Sequence, residues 1–71
     1  MIAKADIAVV RGLQRELLAA AERMQQMISR DPRALNDPVF FAYGQLNSAV
    51  RYLEVAVLKA GGDPAEPPII G

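Results

Sequence analysis

The nine residues RDPRALNDP, positions 30–38, carry two Asp-Pro pairs. Aspartate is a good helix N-cap, and proline fits the first helical position, where its missing N–H costs nothing. Proline also disfavours helix in the residue before it. The stretch therefore predicts a helix that stops near Arg30, a single helical turn over residues 32–35, and a restart at Pro38 capped by Asp37. A connection this short makes the flanking helices antiparallel neighbours. The expected fold is all-α, an antiparallel two-helix hairpin with its corner at residues 31–37.

Before the corner, apolar or small side chains recur at Ala3, Val10, Leu13, Leu17, Ala20, Met24 and Met27, a three-and-four spacing interrupted by Asp6. Ile7, Ala21 and Ile28 widen the stripe, and Arg15, Glu22 and Ser29 occupy the opposite face. This predicts a helix over about residues 3–30, roughly 40 Å long at the standard helical rise. After the corner, Val39, Tyr43, Leu46, Val50, Leu53, Val57 and Ala60 keep the same spacing and predict a helix over about residues 38–60. Gly61-Gly62 suits a left-handed C-cap, with Lys59 at the negative end of the helix dipole. Residues 1–62 thus form the hairpin, and residues 63–71, DPAEPPIIG, read as an extended, proline-rich tail. Ile69 and Ile70 in that tail admit two readings, a solvated end or a docking peptide.

Ala42, Ala49 and Ala56 recur at sevens beside the second seam, as do Ala5, Gly12 and Ala19 on the first helix. Such strips let another helix approach closely, although alanine is also simply the best helix former.

The 71-residue chain has no histidine and no cysteine, and eight basic side chains balance eight acidic ones. Disulfides, thiolate metal sites and the commonest general base and metal ligand are thereby excluded. Ser29, Ser48, Tyr43 and Tyr52 have nothing to activate them, and Asp6, Glu16 and Glu22 lack the Glu-x-x-His pattern of di-metal bundles. No catalytic, cofactor or metal site is expected, and the chain does not read as an enzyme. Phosphate binding needs clustered basic residues, and the nearest approach to a cluster is Arg11 with Arg15. A dimer that also gathered Arg23 would be the nucleic-acid-binding alternative. The apolar run near the amino terminus is too short for a signal-peptide core, and no stretch is long enough to span a bilayer. A soluble, cytoplasmic protein is the expectation.

Two helices leave apolar surface over. Phe40, Phe41, Tyr52, Val55 and Leu58 lie off the second seam, and Val9 and Leu18 lie outside the first. A large apolar side chain left in water forfeits roughly 1.5–3 kcal/mol of burial. A core this small provides only a few kcal/mol of net stability. The hairpin is therefore expected to complete itself, by oligomerisation or on a partner, into a bundle. The expected partner-binding residues are Phe40, Phe41, Tyr52, Val55 and Leu58, with Met24 and Met27 contributing or serving as core filler. Arg51 and Glu54 are expected to set register at the rim.

Residues 36–47, NDPVFFAYGQLN, resemble the turn of type III secretion needle subunits, helical hairpins with an Asn/Asp-Pro corner. In that family two large apolar residues, an alanine and a glutamine follow the corner, matched here by Phe40-Phe41, Ala42 and Gln45. The chain lacks the family's polar amino-terminal segment, and its proline-rich end replaces their continuing helix. In length it is more similar to the small hairpin co-chaperones that keep needle subunits unpolymerised. The resemblance implies a non-enzymatic hairpin that binds itself or a helical protein as chaperone, adaptor, inhibitor or filament subunit.

Overall fold

A computed structural model describes residues 1–64, so the expectations placed on Ile69 and Ile70 lie outside the described residues. A short 3₁₀ turn, Lys4–Asp6, leads into helix α1, Ile7–Arg30. A second 3₁₀ turn, Pro32–Asn36, fills the corner, and helix α2 runs over Pro38–Lys59. The two helices pack side by side as a hairpin, and no strand occurs among the described residues.

Both Asp-Pro pairs work as capping devices. The Asp31 carboxylate accepts the Arg33 backbone N–H at 3.0 Å, and Asp37 accepts that of Val39 at 3.0 Å. Both aspartates have extended backbones, which turns the chain between helical segments. Arg33 also donates Nε and Nη2 to the two oxygens of Asp31, each at 3.1 Å. The Arg33 guanidinium first, and its backbone N–H second, hold the Asp31 carboxyl below its ordinary value of 3.8.

The amino-terminal boundary differs from expectation: α1 begins at Ile7, not near residue 3. Ala3 offers no side-chain oxygen to cap a helix, so the first turn tightens, with the Asp6 N–H donating to the Ala3 carbonyl at 2.9 Å. Exposed N–H groups at a helix start are commonly satisfied by such 3₁₀ bonds. At the other end Ala60 serves as C-cap, and Gly61 has φ +90°. The Gly61 N–H donates to Leu58 O at 3.1 Å and the Gly62 N–H to Val57 O at 2.9 Å. That pair of bonds is a Schellman motif, which satisfies the last carbonyls of the helix. Gly62 lies so close to the core that a Cβ there would meet Val57 Cγ1 at 2.5 Å.

The seam of α2 follows its expected row, with Val50 and Val57 fully buried. The seam of α1 follows its expected row in part: Val10, Leu17 and Met24 keep their place, and Ile7, Ala21 and Ile28, expected to widen it, join them. The residues turned toward α2 are Ile7, Val10, Gln14, Leu17, Ala21, Met24 and Ile28, again in alternating threes and fours. Leu13 is 45% exposed and Met27 44% exposed, so the expected row is rotated by about half a residue's turn. The reason is Gln14, only 3% exposed and seated at a position that reads as polar in sequence.

Candidate interaction surface

Gln14 lies in the seam because every polar atom it brings finds a partner there. Its Nε2 donates to the Val50 carbonyl at 3.1 Å and to Glu54 Oε1 at 3.3 Å. Its Oε1 accepts from Arg11 Nη1 at 2.8 Å. Arg11 in turn forms an ion pair with Glu54 and donates to the Asp63 carbonyl, joining both helices to the segment after α2. Burying a polar group is costly only when it is left unpaired. Among the described residues no buried side-chain nitrogen or oxygen lacks a partner.

This network moves one of the expected rim residues. Glu54 is part of the contact between the helices, held by Arg11 and Gln14, and does not stand with Arg51 on the outer face. Arg51 remains exposed. Met24 is half-buried in the seam, whereas Met27 stays at the surface beside the corner. Arg11, on which a basic surface would have relied, is tied to Glu54. At 100° per residue Arg23 also lies nearly a quarter-turn round α1 from Arg15.

The remaining expected anchors are all exposed: Phe40, Phe41, Tyr52, Val55 and Leu58. Phe41 is 66% and Tyr52 76% exposed, so most of each ring stands in water. Phe40 and Phe41 meet edge to face with ring centroids 6.2 Å apart. One helical turn further on, Gly44 has open space where a side chain would stand. Ser48, Arg51, Tyr52 and Val55 line a shallow depression beyond it. The outer face of α2 is thus two apolar clusters, Phe40-Phe41 and Tyr52-Val55-Leu58, separated by the small residues Gly44 and Ser48.

A second exposed apolar surface was hidden in the sequence by the misplaced α1 seam. Once Gln14 and Ala21 face α2, Leu13, Ala20 and Met27 lie on one flank of α1, and Arg11, Arg15 and Glu22 on the other. Round α2 from Val50, Glu54 and Asn47 lie on one flank, and Ala42, Ala49 and Ala56 on the other. The contact between Arg11 and Glu54 puts their two flanks on one side of the hairpin. The Leu13 row and the alanine row then share the opposite side, with Asp6 at the start of the Leu13 row, Glu16 along its outer edge, and no charge in the alanine row.

Among the described residues no cluster of three or more potential metal ligands occurs, and no helix is long and apolar enough to cross a membrane. No family model, no curated protein and no solved structure matches the chain. The resemblance to needle-subunit turns accordingly rests on residues 36–47 alone.

Proposed function

We propose that this chain works by association, as a non-catalytic helical hairpin completed by a second copy or by a different helical protein. What supports this is the imbalance between core and surface. Among the described residues the buried apolar side chains are Val10, Ala21, Val50 and Val57, while ten large apolar residues stand exposed. Exposed apolar side chains grouped on one face mark interaction sites on soluble domains. Phe41, Tyr52 and Val55 on the outer face of α2 are suited to act as anchors in a partner's groove, with Arg51 at their edge. A role as chaperone, adaptor or inhibitor of a helical protein follows from that chemistry. Absence of histidine and cysteine supports the non-catalytic reading.

Mass by light scattering, measured with helix content through a dilution series, tests the proposal. An oligomer supports completion by a second copy. A poorly helical monomer supports completion by another protein. A fully helical 7.7 kDa monomer that keeps its structure at the highest dilution overturns the reading, since it needs no partner.

A further inference from the structure

We infer that the alanine-lined side of the hairpin, where Leu13, Ala20 and Met27 of α1 lie beside Ala42, Ala49 and Ala56 of α2, is the surface that takes a second copy of this chain. The inference rests on the association reading and adds which face meets which partner.

Area argues for this side over the outer face of α2. With 22 residues in α2 and a helix about 10 Å wide, one helix face offers roughly 330 Å². The two-helix side offers about twice that, roughly 700 Å², near the ~800 Å² per partner of a standard stable interface. The outer face is also interrupted by Arg51 and Lys59, whereas on the alanine-lined side the alanine row holds no charge and Asp6 and Glu16 stand at the end and the outer edge of the Leu13 row.

The side is complementary to itself. Arg11 faces Glu54 across the hairpin, and stepping along both helices from that pair sets Ala56 level with residue 9 and Ala49 level with residue 16. A two-fold axis parallel to the helices preserves these levels and lays α1 of one copy over α2 of the other. Leu13 of one copy then falls midway between Ala49 and Ala56 of its partner copy, a large side chain over the gap between two small ones. Symmetry makes the reciprocal contact at the same time. Knobs set over small-residue gaps are how close helix packing is achieved. A second copy is also the one partner present wherever the chain is made, which suits a hairpin with four buried apolar side chains among its described residues. The dimer would be a four-helix bundle with Phe41 and Tyr52 still facing outward.

Sedimentation equilibrium of the full chain tests this, comparing wild type with Leu13→Glu, Ala49→Glu and Tyr52→Glu. The expected result is twice the 7.7 kDa chain mass for wild type and Tyr52→Glu. Leu13→Glu and Ala49→Glu should each fall to the monomer mass. Because the chain has no cysteine, Leu13→Cys combined with Ala49→Cys should also yield a disulfide-linked dimer in the otherwise native protein. This readout does not depend on whether the glutamate variants fold. A dimer broken by Tyr52→Glu but untouched at Leu13 and Ala49 would overturn the assignment of the face while leaving association intact. A poorly helical wild-type monomer would overturn the second copy and leave a different partner. A stable, fully helical monomer would overturn both.

Discussion

Replacing Gln14 tests whether the buried polar network holds the hairpin together. Gln14→Ala removes two bonds donated by Nε2 and one accepted by Oε1. A net hydrogen bond contributes about 1 kcal/mol, somewhat more where a charged group takes part. Arg11 and Glu54 retain about a fifth of their side-chain exposure, so water recovers part of that loss. Adding the lost burial of one methylene, about 0.8 kcal/mol, the variant should be less stable by about 3 kcal/mol. For a domain of this size that lowers the melting temperature by roughly 10–20 °C. Gln14→Leu is the informative companion. It forfeits the same bonds but restores an apolar side chain to the heptad row, leaving the Arg11–Glu54 pair in place. Its stability should lie within about 1 kcal/mol of wild type, because exchanging a paired polar group for a well-packed apolar one is often nearly neutral. Urea unfolding followed by circular dichroism at fixed protein concentration measures both. An alanine variant within about 0.5 kcal/mol of wild type, or a leucine variant as damaged as the alanine one, would refute the role given to Gln14.

The glycines should separate by site under the same assay. Gly62→Ala should cost about 1–3 kcal/mol by overpacking against Val57, and Gly61→Ala about 1–2 kcal/mol at its left-handed φ. Gly44→Ala, with open space around it, should instead stabilise by about 0.5–1 kcal/mol. An unchanged melting temperature for Gly62→Ala would show that the C-cap is not packed as described. Asp37→Ala removes the cap on the Val39 N–H and should cost about 1 kcal/mol; a loss below the error of the melt would contradict that. Because Arg33 lowers the Asp31 carboxyl, its support for the corner is present above the ordinary value of 3.8 and lost as pH falls below it. Arg33→Ala should therefore move the Asp31 titration, followed by carboxyl NMR, back up toward 3.8, and an unmoved titration would refute the pairing. Phe41→Asp should leave helix content unchanged, since that ring is exposed, and a large loss of helix would show that it packs in the fold.

The corner was legible from sequence because its signals are local. Each Asp-Pro pair carries its own capping oxygen and its own fixed proline φ, and neither depends on what packs nearby. Gly61 was legible for the same reason. The α2 seam was readable because its apolar residues already occupy every position of the heptad. The α1 seam was readable only in part, because its central position is a glutamine. Periodicity puts position 14 in the stripe, but its amide breaks the apolar pattern, and the neighbouring Arg11 together with the distant Val50 carbonyl and Glu54 are what make its burial affordable in free energy. Rotating α1 accordingly moved Leu13 and Met27 outward and drew Glu54 away from the rim. The exposure of Phe41, Tyr52 and Val55 was readable because they lie far round α2 from a seam that was correctly placed. The alanine-lined side was not, since it exists only once both seams are fixed and the Arg11–Glu54 contact orders the flanks.

The most direct test of association-completed folding is the melting temperature of the unmodified chain at two concentrations a hundredfold apart. Where folding and dimerisation are linked, that concentration change shifts stability by about 2.7 kcal/mol per dimer. For a two-chain unit of this size the melting temperature should then rise by about 5–10 °C at the higher concentration. A single cooperative transition at the same high temperature in both samples would mean that each hairpin is stable alone, and would contradict the account.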